Sequence, residues 1–309
     1  FYVPAPAPYL FSYKVMSFGL VDAPATYMRM MLQVLSGAKN TTCFVDDILV
    51  ASATFEEHLR DVLDLWRRLD DAGLRLKGSK CQLFAESVPF LGYVVSEKGL
   101  AHNPEKTKVL REWKFPSTPS GLVRWHAFTG FYRRFIPNFA ARTGVFSAAM
   151  RQKGSTVKKT PDMSRVFAEI NADIQRGTLL SFPDWSKPFI VTIDASLGGL
   201  GAILSQLDDQ GRECPIEFAS RRLQGAEVRY SAQELEGKAA VWAVQRWSMY
   251  LGMSKFYLVT DHANLKQLLR TREKGRMGRF ALDLAGFDWE LVARKGKKNA
   301  AADALSRIK

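Results

Sequence analysis

Cysteine is scarce, with three among 309 residues, Cys43, Cys81 and Cys214. They are odd in number, scattered, and lack the close spacing of a metal site. A disulfide scaffold is thereby excluded, and the three read as reduced packing residues of an intracellular protein. Long apolar runs are missing too. None approaches the roughly 18 residues of a membrane-spanning helix. The chain begins at Phe1 with no basic-then-apolar leader, which reads as a fragment or processing product, not a secreted precursor. The length suggests two or three domains, and 47% hydrophobic residues supply their cores without covalent staples.

Negative charge is also in short supply, and unevenly so. The net charge is +13. Between Pro104 and Thr160 stand twelve Lys and Arg, including Arg124, Arg133 and Arg134, against two acids, Glu105 and Glu112. A solvated face accounts for any one of these cations. A local excess of this size favours a polyanionic partner, nucleic acid first.

Two acids stand together at Asp46-Asp47, between apolar Cys43-Phe44-Val45 and Ile48-Leu49-Val50. The pattern predicts a tight hairpin with buried strands and a doubly negative tip. Adjacent carboxylates repel, so such a pair calls for a cation, usually a divalent metal that also holds phosphates. An ordinary acidic turn explains the same letters.

Three blocks follow along the chain. In the first, Thr54-Phe55-Glu56-Glu57 is a capping box. Phe55, Leu59, Val62, Leu63, Trp66 and Leu69 then recur at helical spacing until Gly73. Strands are expected at Leu83-Phe84 and from Val88 to Val95, with Gly99 closing a turn, which makes an α+β layout. The second block is the basic one. Thr118 or Ser117 caps a helix with Pro119 in its first turn, and Trp125, Phe128, Tyr132 and Phe135 form its packed stripe until Pro137. Residues 151–163 read as an exposed linker. The third block, from about Leu179, has strands at 189–194, 202–204, 215–220 and 256–261. A strong helix runs from Ser231 to Met249, and a last helix starts near Asn299. The mixture predicts an α/β domain.

Four acids of the third block sit where carboxylates converge on a sheet edge. Asp194 and Asp261 end apolar strands, Glu236 lies in the first turns of a helix, and Asp303 near the start of another. Each alone is explained as a cap or terminal acid. Together they would bind two hard cations about 4 Å apart, a pair that activates water and stabilises the leaving oxygen of a phosphodiester.

Eight short stretches, in order, resemble one family. They are Phe18-Gly19-Leu20-Val21-Asp22-Ala23-Pro24-Ala25-Thr26-Tyr27, Phe44-Val45-Asp46-Asp47, Phe90-Leu91-Gly92-Tyr93, Gly130 to Ile136, Thr192 to Ser196, Tyr230 to Glu236, Thr260-Asp261-His262 and Ala302 to Arg307. The chain resembles the carboxy-terminal part of the reverse transcriptase–ribonuclease H polyprotein of gypsy-like long-terminal-repeat retrotransposons. The resemblance implies a partial polymerase palm (1–103), a helical thumb or connection (104–178) and a ribonuclease H-like α/β domain (179–309). It makes Asp46 and Asp47 two of three polymerase carboxylates, and Asp194, Glu236, Asp261 and Asp303 the nuclease ligands of Mg2+ or Mn2+. Glu236 is preferred to Glu234 because the apolar run Ala239-Ala240-Val241-Trp242 then aligns with the family's helix. Phe90, Leu91 and Gly92 would hold the primer end.

Departures are visible as well. Residues 1–17 contain no acid that could be the third polymerase carboxylate. Phe44 stands where the family more often has Tyr, Ser17 where proline is usual, and Asp22 where asparagine is usual. No histidine lies between His262 and Asp303, which implies that the mobile histidine loop of some ribonucleases H is absent. Lys295, Lys297 and Lys298 could contact phosphates there instead. The expected function is two-metal hydrolysis of the RNA strand of RNA–DNA hybrids beside an incomplete RNA-directed DNA polymerase site. The expected partners are the hybrid and primer-template nucleic acid, with no membrane. The alternatives are an inactive or domesticated nucleic-acid-binding module, and a scaffold subunit paired as a homodimer or with a longer polyprotein copy. The expected setting is intracellular, a cytoplasmic virus-like particle or the nucleus.

Overall fold

Leu91 and Gly92 both take left-handed backbone, φ +50° and +85°, and the chain divides between them into two units, Phe1–Leu91 and Gly92–Lys309. The computed structural model describes residues 13–17, 19–152, 154, 156–262, 265 and 275–293, with the backbone of Tyr2–Val3 and Tyr9–Leu10. The sequence reading sets the first boundary near 103. The hairpin before that point belongs instead with the second unit, because Tyr93 and Leu100 pack against its helical core.

The first unit holds a short antiparallel pair, β1 (Tyr2–Val3) and β2 (Tyr9–Leu10). Helix α1 (Ala23–Val34) follows, then the hairpin β3 (Thr41–Phe44) and β4 (Asp47–Val50), helix α2 (Phe55–Asp71), and β5 (Ser87–Phe90). The capping residue of α2 is as expected: Thr54 Oγ1 accepts the Glu57 N–H at 3.2 Å. The apolar face is not. Leu65 and Leu69 reach a small core with Met31, whereas Phe55, Leu59, Leu63 and Trp66 are exposed. Leu83–Phe84 is not a strand, and Phe84 has φ +55°.

The second unit begins with the hairpin β6 (Tyr93–Ser96) and β7 (Gly99–His102). The single strand expected from Val88 to Val95 is thus broken by the turn at Leu91–Gly92. Gly99 has φ +129°, and a Cβ there would overlap the Leu180 carbonyl, so no other residue fits. Its neighbour Leu100 exchanges both backbone hydrogen bonds with Leu180 (2.7 and 2.9 Å).

Helix α3 (Pro104–Thr107) leads into α4 (Val109–Glu112), α5 (Pro119–Phe131), α6 (Phe139–Arg142), α7 (Ser147–Arg151) and α8 (Pro161–Arg176), which form one core. Thr118, not Ser117, caps α5, accepting the Gly121 N–H at 3.1 Å. Trp125, Tyr132 and Phe135 are buried as a packed face, although α5 stops at Phe131, ahead of Pro137. The linker expected over 151–163 is shorter than that. Thr160 caps α8, so residues 161–163 are its first turn, and Val157 is buried with its N–H on Ser117 O.

The α/β layer contains β8 (Phe189–Ser196), β9 (Gly199–Leu207), β10 (Glu213–Arg221), α9 (Ala232–Arg246), α10 (Ser248–Leu251), β11 (Phe256–Thr260), α11 (Arg276–Leu284) and β12 (Trp289–Ala293). The strand order is β10-β9-β8-β11-β12, antiparallel through β9 and parallel from β8 to β12. One helix was expected from Ser231 to Met249; it breaks at Trp247, the last residue of its buried face. Phe189, Val191 and Ile193 alternate into the core shared with Ala239, Ala243 and Trp247. Phe218 and Ile203 pack against the helical core. No helix among the described residues is long and apolar enough to cross a membrane.

Gly99→Ala is expected to cost more than about 2 kcal/mol, because it combines backbone strain with overlap on a carbonyl. Urea denaturation checks this, and an unchanged midpoint would contradict the packing described.

Candidate metal centre

Strand register decides which acids can meet. Val259 lies beside Thr192 on the parallel strands β8 and β11, which brings Asp261 level with Asp194 at the carboxyl ends of both. Asp194 does not end its strand as expected, since β8 continues to Ser196. Asp261 does follow the last residue of β11.

Glu236, in the second turn of α9, is 2% exposed. Its Oε1 accepts the Ala195 N–H (3.2 Å) and its Oε2 accepts the Thr260 hydroxyl (3.2 Å), so one carboxylate ties both strands. Thr260 Oγ1 in turn accepts the His262 N–H (3.1 Å). His262 Nδ1 lies 2.7 Å from Asp261 Oδ1 and 3.6 Å from Glu236 Oε1. Glu236, Asp261 and His262 thus each offer a ligand atom, all within 4.8 Å of one another. Glu234 is not part of this group: it completes a capping box with Ser231 and pairs with Arg276 at 2.7 Å.

Asp194 behaves differently from the expectation that the acids converge. It is exposed, it lies outside the 4.8 Å group, and its Oδ2 accepts a hydrogen bond from Asn138 Nδ2 at 3.0 Å. Like charges repel, and a neutral amide donor is within reach. Asp303, Lys295, Lys297 and Lys298 lie outside the described residues. His262 enters the reading of the sequence only as a neighbour of Asp261, and Asn138 not at all. The available signals were an imidazole next to a strand-end acid, and an Asn after Pro, a residue type that tolerates left-handed backbone.

Burial pushes the Glu236 carboxyl up to about 7, while His262 and the two hydrogen bonds pull it down. The Glu236 and Asp261 carboxylates suit a hard divalent ion, whereas the His262 imidazole is a borderline donor. Such an ion would supply the positive charge that Glu236 lacks.

In the first unit, Phe44 pairs with Asp47 across a loop of Val45 and Asp46. Val45 has φ +55°, a strained setting for a β-branched residue, and its N–H points at Met28 Sδ (2.8 Å). Asp46 and Asp47 are both exposed, and the flanking strands are half-buried at best, not buried as expected. Phe90 is half-buried, and Leu91 and Gly92 form the left-handed turn that follows. Arg124 and Arg133 are exposed. Arg134 is not free: its guanidinium lies over the Tyr93 ring (5.8 Å) and 4.0 Å from Glu217, which also binds Arg246.

Comparison with known proteins gives a consistent result. Residues 7–95 match the family model "Reverse transcriptase (RNA-dependent DNA polymerase)", and residues 184–287 match "RNase H-like domain found in reverse transcriptase". Over 97% of its length the chain is 35% identical to the retrovirus-related Pol polyprotein from transposon 297 of Drosophila melanogaster, covering 28% of that protein. It is 31% identical to the transposon Tf2-3 polyprotein of Schizosaccharomyces pombe, covering 97% of the chain and 23% of that protein. The chain therefore spans less than a third of the length of either relative. Among solved structures, the foamy viral protease-reverse transcriptase in complex with RNA/DNA hybrid is similar in fold. Its TM-score is 0.76 at 20% identity, over 92% of this chain and 39% of that one.

The raised Glu236 carboxyl has a thermodynamic consequence. Between about 4.5 and about 7 the folded protein holds a proton that the unfolded chain has released. Stability of the cation-free protein therefore falls as pH climbs through that window and levels off above it, by up to about 3 kcal/mol. Glu236→Gln is expected to remove this fall and to be the more stable protein at pH 8 in chelator. Denaturation followed by the buried Trp125 and Trp247 reads the slope, and an identical slope in both proteins would refute the assignment.

Proposed function

The chain belongs to the reverse transcriptase and ribonuclease H portion of retrotransposon Pol polyproteins, and we propose on that premise that its carboxy-terminal domain hydrolyses the RNA strand of RNA–DNA hybrids. The observation that carries the proposal is the buried Glu236 gathered with Asp261 and His262 at the strand ends. Mg2+ or Mn2+, held as a pair by Asp194, Glu236, Asp261 and Asp303, would supply the Lewis acid and an activated water. The chain's own residues prepare that site. Glu236 is fixed by Ala195 and Thr260, and Asp261 is oriented by His262. For the first unit the proposal is narrower: Asp46 and Asp47 are two polymerase carboxylates, with Phe90, Leu91 and Gly92 near the primer end. The setting proposed is intracellular, in a virus-like particle.

Cleavage of a labelled hybrid in Mg2+ or Mn2+ tests the nuclease. Asp194→Asn and Glu236→Gln are each expected to lower the rate more than about a hundredfold while hybrid binding persists. Binding without cleavage by the parent chain would instead favour a non-catalytic binding module.

The exposed Arg133 is proposed to contact phosphate, whereas Arg134 is occupied by Glu217 and Tyr93. Arg133→Gln should reduce the slope of log affinity against log salt by about one, and Arg134→Gln should change stability with little change in slope. Equal effects on the slope would overturn that distinction.

A further inference from the structure

The helical block supplies a side chain that reaches Asp194. Asn138 stands between the buried Ile136 and Phe139 in left-handed backbone, φ +52°. The α6 segment that it opens lies against β9 and β10: the Ala140 N–H donates to Ser220 Oγ (2.9 Å), and Arg222 Nη2 donates to Thr143 O (3.2 Å). Asn138 itself lies over the pair Asp194–Gly201, which face each other across β8 and β9. A Cβ on Gly201 would overlap Asn138 Oδ1. The missing side chain thus makes the space that the amide fills, and the amide donates to Asp194 Oδ2 at 3.0 Å.

We propose that Asn138 is a positioning residue for Asp194: its amide holds one carboxylate oxygen and leaves the other for a divalent cation. The inference rests on the nuclease reading, in which Asp194 is a ligand. It adds that the cation site is completed from outside the α/β layer, so the placement of α6 sets how well the site binds metal. A donor that fixes a ligating carboxylate acts in this way through its ligand.

The test is calorimetric titration of the whole chain with Mn2+ at pH 8, without nucleic acid. Asn138→Gly removes the amide while keeping the left-handed backbone unstrained. It is expected to weaken Mn2+ binding about 10- to 100-fold with an unchanged unfolding midpoint. Combined with Asp194→Asn it should add nothing to the loss caused by Asp194→Asn alone. Gly201→Ala, which pushes the amide out of its space, should weaken binding in the parent but not in the Asn138→Gly background. Affinity of Asn138→Gly within twofold of the parent, while Asp194→Asn loses binding, would overturn the positioning role and leave the nuclease reading intact. Indifference of the parent's Mn2+ binding to Asp194→Asn would remove Asp194 as a ligand, and both readings would fall.

Discussion

A carboxylate taken out of water is the constraint around which the α/β layer is arranged. Glu236 is almost fully buried, so its charged form loses hydration that two hydrogen bonds only partly replace. Those bonds come from the two parallel strands that carry Asp194 and Asp261. The same contacts therefore fix the helix on the sheet and set the spacing of the acids. Left without a cation, a site of this kind stores instability, which a bound divalent cation would relieve. On the proposed nuclease reading, folding and metal affinity would be coupled through one side chain.

The opposite side of that sheet shows a second coupling. Phe218 and Ile203 share a core with the helical block, and the chain from Asn138 to Thr143 lies against β9 and β10. A missing side chain permits this approach at Gly201, under Asn138. Helical block and sheet form one compact unit for this reason, although the sequence reads as two separate blocks.

Charge shows how composition can mislead. The excess between 104 and 160 is real, but four of its twelve cations have partners within the chain. Arg142 pairs with Asp173 and Glu169, Arg134 with Glu217, Lys108 with Glu105, and Lys159 lies over the Phe115 ring. Most of these partners come from outside the counted window. What is left for a polyanion is a smaller set of exposed groups, with Arg124 and Arg133 among them.

Local rules of the chain determined a good deal by themselves. The cap at Thr54, the cap at Thr118 or Ser117, the turn at Gly99, and the packed face of Trp125, Tyr132 and Phe135 were legible, because each depends on neighbours a few residues away. Glu236 was preferred to Glu234 for the apolar run that follows it, and the structure brings Glu236 together with Asp261 and His262. Helix α8 and strand β12 were not read, nor was the outward turn of Phe55, Leu59, Leu63 and Trp66 on α2. Helical spacing reports that a face is apolar, not what covers it. Tertiary structure alone decided that Asp194 is held by Asn138, 56 residues earlier in the chain, that Arg134 lies 4.0 Å from Glu217, and that His262 joins Glu236. Pairing across such distances depends on strand register and layer packing, and no local pattern encodes either.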